Sequence, residues 1–119
     1  MKFYRCSDCN SVLITEKPLG CCEDGWKELQ PNTTDASGEK HVPVMEAADQ
    51  KVTVRVGSAE HPMLEAHYIA WIVLETTQGY QKKELHPGEK PVAHFALAEG
   101  ETVLAAYEYC NLHGLWKAE

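Results

Sequence analysis

The stretch KVTVRVG, residues 51–57, alternates polar and apolar side chains. A period of two is the mark of a strand with one face buried and the other wet. Working outward, HYIAWIVLE (67–75) is β-branched and aromatic, too apolar for the edge of a sheet. GYQKKEL (79–85) carries the lysines of an outer strand, and PVAHFALAEG (91–100) reads as a strand followed by a turn. ETVLAAYEYC (101–110) has enough Ala for a helix, but the turn before it and the β pattern upstream favour a strand. Short strands punctuated by Gly and Pro predict a mostly β chain built around a small β-sandwich.

The segment in front has a different texture. FYRCSDCNSVLITEKPLGCCEDGWKEL, residues 3–29, holds four of the five cysteines and is too short to bury a useful core. QPNTTDASGEK (30–40) then has the chemistry of a linker or loop. The boundary predicts a cysteine-rich metal module over 1–30 and the β-sandwich domain over 31–119. The 119-residue chain carries a formal net charge of −7, which argues against nucleic acid as a partner, because affinity for a phosphate backbone comes from Lys and Arg. A small anionic substrate would need a local positive spot on this acidic background. The start, MKFYRCSDCN, has no apolar signal core, and no apolar run is long enough to cross a bilayer. We therefore expect a cytoplasmic protein without membrane attachment, whose cysteines are reduced and serve as metal ligands or redox groups.

Cys6 and Cys9 form a CxxC, and Cys21 and Cys22 are adjacent. Two such pairs supply the corners of a tetrahedral sulfur site, which suits iron or zinc; the adjacent pair, unusual for a plain zinc finger, leans towards iron. Histidines fall in EKHVP (His41), EHPMLEAHYI (His61 and His67) and CNLHG (His113), beside the fifth cysteine, Cys110. Each alone reads as a turn or strand residue. Together, four imidazoles and one thiolate make a nitrogen and sulfur set suited to a redox iron with one position free, where zinc prefers four ligands. His86 and His94 have no such companions and read as a turn residue and a strand residue.

The strings GEKHVPV, HPMLEAHYIAWI and CNLHGLW closely resemble the superoxide reductases, and the CxxC and CC module in front resembles the desulforedoxin-like domain of their two-iron members, the desulfoferrodoxins. The resemblance spans nearly the whole chain, with a shorter stretch between Cys9 and Cys21 in which Gly20 alone remains of the expected glycines. It implies an immunoglobulin-like β-sandwich with iron at one end, held by His41, His61, His67 and His113 around it and by Cys110 as the axial thiolate. It implies one-electron reduction of superoxide to hydrogen peroxide. Lys40 would attract the anion and hold a proton-donating water, Glu39 would take the sixth position of the oxidised iron, and Gly38 would let that loop move. Cys6, Cys9, Cys21 and Cys22 would hold iron or zinc in a module that also helps join two subunits, giving a homodimer. The electron donor would be a rubredoxin-like carrier.

Three other readings fit parts of the pattern. A dismutase would use the same substrate without an outside donor. An electron-transfer protein would work through the four-Cys iron site. A non-catalytic sandwich would hold a structural metal.

Overall fold

The structure, a computed structural model, describes residues 1–20 and 25–119. The alternating stretch forms β5, Lys51–Val56, with Val52, Val54 and Val56 buried and Lys51 and Arg55 exposed. It pairs antiparallel with β4, Pro43–Ala48, on one side and β8, Val92–Ala96, on the other. A second antiparallel sheet runs in the order β10 (Gly114–Ala118), β9 (Val103–Cys110), β6 (Ile69–Thr76), β7 (Gly79–Glu84). Both sheets give side chains to one core: the three valines of β5 with Ala93 and Phe95 of β8, and Ile69, Ile72, Leu74, Ala106 and Cys110 of the other sheet. Burying each large aliphatic or aromatic side chain there contributes about 1.5–3 kcal/mol. The mostly β expectation, with its β-sandwich, holds.

Within segment 101–110, Val103–Cys110 is a strand because neighbours claim it on both sides, β6 and β10. The central strand β6 is irregular between Ile69 and Trp71, where its register against β9 slips. That bulge lets Ile69 and Ile72, three apart, both reach the core. The lysine-bearing β7 lies at the edge of its sheet. Several elements exceed the sequence reading, β4 among them. Gly38–His41, within and just beyond the stretch read as linker, winds into a single helical turn, α1, closed by Val42 N–H donating to Gly38 O at 2.9 Å. Gly114–Ala118 returns as β10, and Gly114 makes the reversal with φ of 77°, a left-handed conformation that disfavours other residues.

The chain divides into two compact units, Met1–Gln30 and Pro31–Glu119. The first is a three-stranded antiparallel sheet in the order β2 (Val12–Thr15), β1 (Lys2–Cys6), β3 (Trp26–Glu28). After Cys6 the chain reverses tightly: Asn10 N–H donates to Cys6 O at 3.2 Å and Cys6 N–H to Ser11 O at 2.8 Å. Asn10 takes φ of 60°, which a short polar side chain tolerates. Among the described residues, no helix is long and apolar enough to cross a membrane.

Candidate metal centre

The ends of α1, β5 and β9 and the starts of β6 and β10 bring five side chains together. His41 closes α1, His61 follows β5, His67 precedes β6, Cys110 ends β9, and His113 stands in the turn before β10. Their ligand atoms all lie within 4.8 Å of one another. The four imidazoles form a closed ring of blades. Successive rings, His41–His61, His61–His67, His67–His113 and His113–His41, have centroids 4.7, 4.6, 5.0 and 4.8 Å apart and planes crossed at 77–84°. His41 and His67 face each other across the centre, 6.5 Å apart and nearly parallel at 29°. The Cys110 Sγ is 3.5 Å from His61 Nε2 and 3.9 Å from His113 Nδ1.

The surrounding backbone orients these rings. His41 Nδ1 donates to Ser37 O at 2.6 Å, and His61 Nδ1 donates to Pro62 O at 2.7 Å. His67 is held by a small bridge to Leu64, each N–H donating to the other's carbonyl. Asn111 ties two ligand-bearing loops together. Its side chain accepts from Tyr68 N–H at 2.9 Å and donates to Ala66 O at 3.1 Å. The His41 ring also stacks on Trp116, 4.9 Å between centroids.

The tautomers test whether a metal fits. With Nδ1 protonated on His41 and His61, each Nε2 presents a bare lone pair, yet the two Nε2 atoms are 3.2 Å apart. No hydrogen lies between them, so the contact is repulsive unless a cation shares both lone pairs. Two nitrogens about 2.1 Å from a metal at right angles would be about 3.0 Å apart. The observed 3.2 Å, and the 3.0 Å between His41 Nε2 and His113 Nδ1, fit that spacing. His67 Nε2 is buried without a hydrogen-bond partner among the described residues. The donor set therefore fits a cation, and mixed imidazole and thiolate donors suit iron.

Burial lowers the basicity of His41 and His67 and brings His61 down to about 4, partly offset at His41 and His61 by their backbone acceptors. These rings are thus neutral ligands at neutral pH. Burial pushes the Cys110 thiol up, while backbone N–H groups of His113 and Leu112 pull it down. Lys40 and Glu39 are exposed on α1, beside buried His41. After burial and the neighbouring imidazoles, the Lys40 charge adds to the lowering of both His41 and His67. The Glu39 carboxylate lies outside the five-atom group.

His86 pairs with Glu89 at 2.9 Å and His94 with Thr53 at 3.2 Å, both away from the cluster. Sequence reasoning missed Glu108. Its carboxyl is fully buried on the core-facing side of β9, without a partner among the described residues, and burial holds it well above its usual 4.5. The alternation Ala106, Glu108, Cys110 along one strand face was the available signal. In the first unit, Cys6 and Cys9 flank the turn after β1, and Ser11, then Cys6, hold the Cys9 thiol below its usual range. Cys21 and Cys22 lie outside the described residues.

Comparison with known proteins follows the same outline. The family pattern described as Desulfoferrodoxin matches residues 33–119. A desulfoferrodoxin of Syntrophotalea carbinolica is 42% identical, over 100% of this chain and 96% of the relative. A desulfoferrodoxin homolog of Archaeoglobus fulgidus is 39% identical, over 99% of this chain and 96% of the relative. The crystal structure of the superoxide reductase from Treponema pallidum superposes with a TM-score of 0.85 at 38% identity, covering 100% of both chains.

Proposed function

Because the chain belongs to the desulfoferrodoxin family, we propose that it is a superoxide reductase whose working iron is held by His41, His61, His67, Cys110 and His113. The observation that carries this reading is the ring of four crossed imidazoles, with two unprotonated nitrogens 3.2 Å apart and a buried thiol against it. Bound there, iron supplies a one-electron couple to the substrate. The reaction consumes one superoxide, one electron and two protons and yields one hydrogen peroxide. Four neutral imidazoles and one thiolate leave ferrous iron with a net positive charge, an attractive spot for an anion on a chain of net charge −7.

The chain's own groups do the rest. Lys40 adds a second positive charge beside the cluster, draws the anion in, and holds a water that passes a proton to the reduced oxygen. Glu39, on the same turn, would supply a carboxylate to the oxidised iron. The N–H groups of Leu112 and His113 temper the electron donation of Cys110. Residues 1–30 form a separate metal module in this reading, with Cys6, Cys9, Cys21 and Cys22 holding iron or zinc. The donor is a rubredoxin-like carrier, the protein works as a homodimer, and its compartment is the cytoplasm, where thiols stay reduced.

An absorption spectrum of the air-oxidised, iron-loaded protein tests the assignment. A long-wavelength thiolate-to-iron band that disappears in Cys110→Ser, together with reductase turnover, is the expected result. A band and turnover that survive in Cys110→Ser would remove Cys110 from the site.

A further inference from the structure

One glycine of the chain stands out by what lies against it. A Cβ built on Gly57 would collide with the Glu39 carbonyl oxygen and would lie 2.8 Å from the Lys40 carbonyl carbon. Both are backbone atoms, so another residue at 57 must displace the turn that carries Lys40. The next two residues grip the same oxygen. Ala59 N–H donates to Glu39 O at 2.9 Å and the Ser58 hydroxyl donates to it at 3.2 Å. In a helix of a single turn this carbonyl has no partner of its own, so residues 58 and 59 complete α1 from outside. The turn's other end is fixed by Ser37 O, which takes His41 Nδ1 at 2.6 Å and Lys40 N–H at 3.3 Å. The segment that grips the turn also leads to a ligand, since His61 N–H donates to Val56 O at 3.3 Å.

We propose that Gly57, Ser58 and Ala59 are positioning residues for Lys40, a seat that fixes the distance and register of the 37–41 turn relative to His61, His67, Cys110 and His113. Gly57 sets how close the turn approaches, and the two donors set where along the segment it docks. The proposal rests on the reading of Lys40 as the cation that draws superoxide in. A Lys side chain is flexible, so the place of its charge is governed by where its backbone is rooted. An error of about 1 Å in such placement can cost up to a hundredfold in rate.

The test uses the iron-loaded protein with Gly57→Ala, Ser58→Ala and Ser58→Thr, each with Lys40 present and with Lys40→Ala. Two readouts are taken: the second-order rate with superoxide against ionic strength, and hydrogen exchange of a peptide spanning Ala59. Ser58→Ala should speed that exchange and slow the reaction about threefold with a shallower salt slope, and Ser58→Thr should restore both. Gly57→Ala should slow the reaction about threefold or more, up to but not beyond the loss in Lys40→Ala, yet change little once Lys40 is gone. Equal slowing by Gly57→Ala with and without Lys40 would overturn the proposal, as would an unchanged rate and salt slope in Ser58→Ala. Should Gly57→Ala fail to fold, the Ser58 pair decides alone. An unchanged salt slope in Lys40→Ala would remove the reading of Lys40 itself, whereas a slow Lys40→Ala beside indifferent seat variants removes only the seat.

Discussion

Buried Cys110 stays a thiol at neutral pH until a cation takes the place of its proton, because burial raises its proton affinity. The buried imidazoles around it are already neutral, His61 down to about 4. Loading metal at pH 7 should therefore release about one more proton in the wild type than in Cys110→Ser. Calorimetry in buffers of different ionisation heat measures that difference, and equal release would show that the thiol is not a ligand. Lys40→Ala should slow the encounter with superoxide about three- to tenfold at low salt and flatten its salt dependence, read by pulse radiolysis at several ionic strengths. Glu108 gives a pH prediction. Its folded-state proton affinity is raised, so the folded chain holds that proton where the unfolded chain has lost it, and stability falls as pH rises above about 4.5. Comparing urea midpoints across pH at equal metal content, Glu108→Gln should gain on the wild type steadily from pH 4.5 upward. A constant gap would mean that Glu108 is charged in the fold.

At the scale of elements, the strands bring together the segments that carry the ligands, and hydrogen bonds between those segments fix them. Asn111 joins the loop after β9 to the segment leading into β6. Asn111→Ala leaves Tyr68 N–H and Ala66 O without their partner and should cost about 1–2 kcal/mol of stability. Metal loss to a chelator should quicken in the same variant, and unchanged retention would argue that the two loops hold the cluster independently. The strands were legible because alternation reports one buried face, as KVTVRVG did for β5. In CNLHG, Gly114 takes the left-handed φ that lets the chain reverse into β10. Helix α1 was not legible, because a single turn has no periodicity to read. The five site residues were legible as a chemical set, through residue type and resemblance. Their crossed-ring arrangement was not, because it depends on carbonyls such as Ser37 O and Pro62 O and on pairings between strands far apart in sequence.

At the scale of the whole molecule, a chain of net charge −7 repels superoxide at long range, so a rate near the diffusion limit requires the local positive charge of the metal centre and Lys40. The five residues of the proposed centre all lie in Pro31–Glu119, and in the proposed function the cysteine module stands outside the chemical step. Cys6→Ser should leave superoxide reduction by the iron-loaded protein within about twofold of wild type, as for distant independent sites. A loss of turnover in that variant would favour an electron carrier working through the four-Cys site. The most direct measurement is the electron balance of the iron-loaded protein, mixed with superoxide and a measured excess of reductant. A superoxide reductase consumes one donor electron and forms one hydrogen peroxide for each superoxide, with no oxygen released. Oxygen evolution, half that yield of peroxide and an untouched donor would make the protein a dismutase and contradict the account.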